Sequence, residues 1–185
     1  KPDEISQINY YKAIAQVSEV PLLVYNIPQR TGIAMTESLY DKLIQIDNVI
    51  GMKDSSGDIY TLGHLASKWK ESVIFEGEDS LLLPSLIAGA IGGIGASYNL
   101  MPELYVQLWE AYQGNNIDKA AEIQARVNGV IRALLISPDL IGGIKQVLGW
   151  MDLECGAPRS PNRTLRSEEA AKLRQAFDNI GFFDN

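Results

Sequence analysis

Short apolar runs alternate along the chain with stretches whose apolar positions recur at helical spacing. The runs cover residues 21–28 (PLLVYNIP), 49–56 (VIGMKDSS), 72–79 (SVIFEGED) and 90–97 (AIGGIGAS). Each has the length of a strand and is close to continuously apolar, which predicts a parallel sheet covered on both faces. A helix over 4–18 precedes the first run. Start signals stand ahead of the other helices at Thr36-Glu37, Asp58, Asp79-Ser80 and Pro102-Glu103. The predicted order is α-β-α-β-α-β-α-β-α, with strands roughly 20 to 30 residues apart, as in successive right-handed βαβ units.

Past about residue 117 the strand signal stops. Residues 118–136, 138–151 and 167–180 read as helices, with a loop over 156–164 that contains Pro158 and Pro161. The chain therefore divides into an α/β part, residues 1–116, and a helical region, residues 117–185. Four parallel strands fit a small doubly wound sheet or half of an eight-stranded barrel, and the pattern alone does not choose. Gly92-Gly93-Ile94-Gly95 lies inside a strand-like run and does not match the glycine pattern of a dinucleotide-binding turn. A half barrel would leave its inner strand faces uncovered, which implies further residues or a partner.

Charge narrows the function. The 185 residues carry a formal charge of -7, which argues against nucleic acid or an anionic membrane as a partner. No apolar run reaches the roughly 18 residues that span a bilayer, and the front of the chain has no secretory pattern. Cys155 is the only cysteine, so an internal disulfide is excluded and a reducing, cytoplasmic setting fits. Cys155 is expected to be buried and without a catalytic role. The opening Lys1-Pro2-Asp3-Glu4 has no initiator Met and runs straight into a helical pattern, as expected for the middle of a longer chain.

The candidate chemistry lies at the ends of the first two runs. Lys53 sits inside an apolar strand, where a charged amine is costly unless paired or neutral. One reading is a strand-end lysine that reaches solvent. The other is a desolvated amine, partly neutral, that attacks a carbonyl. Tyr25 has the same place in the preceding strand, either as a core tyrosine or as a phenol that passes protons to the amine's adducts. Arg30 lies between Pro28 and Gly32, either solvated or holding a carboxylate in its bidentate fork. Asp54 and Asp79 read as cap or loop carboxylates, and no cluster has metal-ligand spacing. His64 is expected to be exposed and without a role; Trp69, Trp109 and Trp150 read as packing residues.

Taken together, residues 25–32 (YNIPQRTG), 51–58 (GMKDSSGD) and 92–99 (GGIGASYN) resemble the dihydrodipicolinate synthase/N-acetylneuraminate lyase family. Ile144-Lys145 followed by 156–161 (GAPRSP) is similar to that family's C-terminal helical region. The resemblance implies an α/β fold, the C-terminal half of a (β/α)8 TIM barrel (strands 5–8) followed by a three-helix C-terminal extension. It implies a Schiff base between pyruvate and Lys53, with no metal or organic cofactor, and proton shuttling by Tyr25. It also implies a backbone carbonyl of Ile94 facing the keto acid, and Gly77 and Asp79 lining the second-substrate side. Arg30 in its R-T-G context resembles the synthases, where this arginine binds the carboxylate of aspartate semialdehyde. The partners implied are a small keto acid and an aldehyde, within a homo-oligomer, a tetramer or dimer. The chain departs from the family in lacking its first four strands. Residues 92–99 look closer to the lyases, and residues 51–58 also resemble 4-hydroxy-2-oxoglutarate and 2-keto-3-deoxy-sugar-acid aldolases.

Overall fold

The structure of the protein, a computed structural model, describes residues 1–184. Among these, β1 (Leu22–Asn26), β2 (Val49–Asp54), β3 (Val73–Glu76) and β4 (Gly92–Gly93) form one parallel sheet in the order β1-β2-β3-β4. The last predicted run, 90–97, contributes only two residues to it. Glycine has no side chain to pack and weakens a strand. Gly51 has the opposite use: a β-carbon there would lie 1.9 Å from the Val73 carbonyl oxygen, so only glycine lets β2 and β3 approach at that level.

The helices begin where the local signals stand. In α1 (Glu4–Val17) the Asp3 side chain accepts the Ser6 N–H at 2.8 Å. Thr36 caps α3 (Glu37–Leu43) through the Leu39 N–H, and Asp58 caps α4 (Ile59–Lys68) through the Thr61 N–H. Each such cap is worth about 1 kcal/mol. Two elements differ from expectation. Residues 28–31, where the sequence pattern predicts no helix, form a one-turn helix, α2 (Pro28–Thr31), opened by Pro28 and closed by Gly32 at φ 69°. Asp79 and Ser80 open a 3-10 turn, Asp79–Leu81, and α5 (Leu82–Ala88) follows it.

Strand alternation sorts the sheet into two faces. Val24, Met52 and Ile74 are neighbours in register and fully buried. They pack with Leu39, Tyr40 and Leu43 of α3 and Leu62 and Leu65 of α4. Each such burial is worth roughly 1.5–3 kcal/mol. The opposite face carries Tyr25, Lys53 and Phe75 in register. On it Tyr25 is 45% exposed, and Lys53 and Phe75 are half-buried. Within the first unit the packed core lies on the face of Val24, Met52 and Ile74.

The chain divides into two compact units, Lys1–Gly95 and Ala96–Asn185. The second unit opens with α6 (Pro102–Gln113), which packs along α7 (Ile117–Leu134). The second unit continues with α8 (Leu140–Trp150) and α9 (Ser167–Asn179). There Asp139 caps α8 through the Gly142 N–H at 2.7 Å and also accepts the Arg163 N–H at 3.0 Å. Phe177, Phe182, Phe183 and Trp150 form an aromatic cluster. Cys155 is exposed, not buried. Among the described residues no helix is long and apolar enough to cross a membrane.

Candidate active site

The site is built at the C-terminal ends of β1, β2 and β3, within the first unit. Tyr25 and Lys53 are direct register partners, so both side chains leave the sheet on the open face at the same level. The Lys53 amine donates to the Tyr25 hydroxyl at 3.3 Å and stands 4.5 Å from the ring centre. The lysine is thus paired with a phenol rather than a carboxylate. It is half-buried, with its stem against the sheet.

The electrostatics at Tyr25 follow from its neighbours. Burial raises the phenol, while contact with Ser55, the hydrogen bond from Lys53 and the charge of Lys53 lower it; Asp79 opposes them. The balance holds Tyr25 below the ordinary tyrosine value, as a phenol that gives up its proton more readily should be. The Tyr25–Ser55 contact is too loose to count as a formed hydrogen bond, and the buried Ser55 Oγ makes no other. Its hydroxyl is held beside the amine and the phenol, ready to donate or accept.

Gly77 closes the site on the β3 side. A β-carbon there would lie 2.1 Å from Ser55 Oγ and 2.6 Å from Lys53 Cε. Its own N–H donates to the Asp54 carbonyl at 2.7 Å. Asp79 begins the following 3-10 turn and acts on Tyr25 through its charge. Ile94 follows β4, donates its N–H to the Glu76 carbonyl at 2.8 Å and is 43% exposed. Arg30 lies on α2 and is exposed. The structure therefore brings Lys53, Tyr25, Gly77 and Asp79 together, while Arg30 on α2 and Ile94 just past β4 are exposed.

Ser55 was not among the residues expected from sequence. Its signal is there: it lies two positions past Lys53, and a period of two returns a side chain to the same face. Asp54, expected to be a cap or loop carboxylate, is 2% exposed on the helix-covered face. His64 is exposed, with Nε2 3.2 Å from Glu37 Oε2 on α3, outside the site. Among the described residues no group of three or more His, Cys, Asp or Glu is arranged to hold a metal ion. A cavity of about 760 Å³ in the second unit, lined by Met101, Arg126, Trp150 and Phe182 among others, contains none of the residues above.

Known proteins resemble this chain in sequence and in fold. The chain is 33% identical over 181 residues to the 4-hydroxy-tetrahydrodipicolinate synthase of Archaeoglobus fulgidus, covering 97% of this chain and 62% of that protein. It is 34% identical over 172 residues to N-acetylneuraminate lyase 2 of Escherichia coli, covering 91% and 56%. Among solved structures, the catalytic-lysine mutant of the Ruminococcus gnavus sialic acid aldolase superposes with a TM-score of 0.91 at 30% identity, over 98% of this chain and 61% of that one. The chain thus spans about three fifths of the length of the relatives it matches. The model of the dihydrodipicolinate synthetase family matches residues 1–180, and the chain belongs to that family.

Proposed function

We propose that the protein is a class I carbon–carbon lyase that binds pyruvate covalently on Lys53. The observation that carries this reading is the Lys53 amine 3.3 Å from the Tyr25 hydroxyl at paired strand ends. A solved relative, the sialic acid aldolase, is described by its catalytic lysine. In the proposed sequence the neutral amine attacks the keto carbon, forming a C–N bond and a carbinolamine. Tyr25 delivers a proton to the departing hydroxyl, water leaves, and an iminium remains. The iminium withdraws electrons from the neighbouring carbon, which loses a proton to give an enamine. The enamine carbon then bonds to an aldehyde carbon; hydrolysis frees the product and restores the amine. Cleavage of a longer keto acid is the same sequence reversed. No organic cofactor enters these steps.

For the acceptor, we favour aspartate semialdehyde, the 4-hydroxy-tetrahydrodipicolinate synthase reaction of lysine biosynthesis. Arg30 supports this, because a guanidinium on the turn after β1 is free to pair with the aldehyde's carboxylate. The similar identity to an N-acetylneuraminate lyase supports a second reading, in which the acceptor is a neutral sugar aldehyde. In either case we read the four strands as strands 5–8 of a (β/α)8 barrel, with α7, α8 and α9 as its C-terminal extension. The working protein is then a cytoplasmic homo-oligomer, a tetramer or a dimer.

Incubation with pyruvate and borohydride tests the chemistry. A pyruvate-sized mass adduct on Lys53, absent in Lys53→Ala, is expected. A folded protein that gives no adduct would instead favour a non-catalytic role in assembly. Competition between aspartate semialdehyde and N-acetylmannosamine as acceptors then decides the substrate.

A further inference from the structure

Behind the reactive residues, on the helix-covered face, lies a second polar row. Asn26, Asp54 and Glu76 are neighbours in register on β1, β2 and β3, and are 5%, 2% and 2% exposed. Burying polar groups is costly unless they are hydrogen-bonded. These are, and each one spends an acceptor on the loop that follows its own strand. Asn26 Oδ1 accepts the Met35 N–H at 3.1 Å, and Asp54 Oδ1 accepts the Ser56 N–H at 2.9 Å. Glu76 Oε1 accepts the Gly77 and Glu78 N–H groups at 2.9 and 2.6 Å. The row is also tied sideways: Asn26 Nδ2 donates to Asp54 Oδ1 at 2.8 Å, and Ser85 of α5 donates to Glu76 Oε2.

We propose that Asn26, Asp54 and Glu76 are positioning residues that hold Tyr25, Lys53 and Gly77 in reacting geometry from the far side of the sheet. This rests on the Schiff-base reading of Lys53. Each reactive element adjoins one member of the row: Tyr25 precedes Asn26, Lys53 precedes Asp54, and Gly77 follows Glu76. The Gly77 N–H is held twice, by the Asp54 carbonyl and by Glu76. That keeps the Gly77 backbone against the Lys53 stem, where there is no room for slack. Burial pushes the carboxyls of both Asp54 and Glu76 up, and the charge of Asp54 adds to the rise at Glu76. One Glu76 oxygen takes both backbone N–H groups; a glutamine keeps that oxygen and makes the Ser85 contact the other way round, its amide nitrogen donating to the Ser85 hydroxyl.

The test is the rate of borohydride-trapped adduct formation on Lys53 in the intact protein, for the parent, E76A and E76Q. A displacement of about 1 Å at a reacting group costs on the order of 10²-fold. E76A is expected to trap roughly 10- to 100-fold more slowly, with faster hydrogen exchange at Gly77 and Glu78, and E76Q to return both toward the parent. If E76A does not fold, N26A carries the same test through the smaller member of the row. A parent without any adduct overturns the Schiff-base reading and this inference with it. Where the parent does trap, parental rates in a folded E76A or N26A, or equal losses in E76A and E76Q, overturn this inference alone.

Discussion

Gly77 stands so close to Lys53 that a β-carbon on it would lie 2.6 Å from Lys53 Cε. It would also lie 2.1 Å from Ser55 Oγ and 3.0 Å from the Asp54 carbonyl oxygen, so the two side chains are what must give way. Gly77→Ala should therefore push the lysine out of line with Tyr25. Overpacking of this kind costs about 1–3 kcal/mol. The expected outcome is a protein that folds with a lowered urea midpoint and loses most of its pyruvate trapping. Trapping at the parent's rate would mean that the lysine's position is not set by this contact.

Tyr25→Phe removes one hydroxyl and keeps the ring. Since the side chain is 45% exposed, stability should change little. Acid–base help from a positioned side chain is typically worth about 10²–10⁴-fold, and kcat should fall by that order, with a smaller change in pyruvate affinity. An unchanged kcat would leave Tyr25 as a packing residue beside the amine.

Arg30 separates the two acceptors. Truncating a charge-assisted contact to a carboxylate costs roughly 1.5–3 kcal/mol, and the exposure of Arg30 places the effect at the lower end. Arg30→Ala should raise KM for aspartate semialdehyde about 10-fold while Lys53 still traps pyruvate at the parent's rate. A neutral sugar aldehyde should not feel the change. Normal use of aspartate semialdehyde by the variant would turn the assignment toward the lyases.

In the second unit, pH acts through Glu169. Arg163 hydrogen-bonds its carboxylate through both terminal nitrogens at 2.7 and 2.9 Å, and Arg166 adds its side chain and its backbone N–H. Arg163 first, then Arg166, hold Glu169 well below the ordinary glutamate range. Because the folded value is depressed, the unfolded chain binds the proton more readily. The stabilisation is present above the ordinary value, about 4.3, and is lost as pH falls toward the folded one. The protection of the Ala170 amide, taken relative to its intrinsic exchange rate at each pH, should fall below that pH in the parent. In Glu169→Gln the same amide should show no such acid-dependent change.

The Lys53–Tyr25 pair was legible because it breaks a pattern. Lys53 and Tyr25 are polar atoms in apolar runs, and each run's length fixes which end they occupy. Thr36 and Asp58 were legible because a cap depends on three or four consecutive residues. Gly77, Asp79 and Ile94 were reached through family resemblance alone, since nothing in their own surroundings distinguishes them from loop residues. The one-turn helix at Pro28–Thr31 is too short to show a period. The row Asn26–Asp54–Glu76 depends on register between strands more than 20 residues apart, which no local window contains. The boundary between Gly95 and Ala96 depends likewise on α6 meeting α7.

The order of the strands in the sheet is also their order along the chain. Each new strand therefore finds its partner in the strand made just before it, as Lys53 meets Tyr25 across 28 residues. Loop closure over such distances is modest in entropy, and sequence-local contacts favour rapid folding. A ribosome releasing about 5–20 residues per second would present β1, β2 and β3 one at a time, each able to dock on a surface already formed. Lys53 would meet the Tyr25 phenol before the helices of the second unit exist.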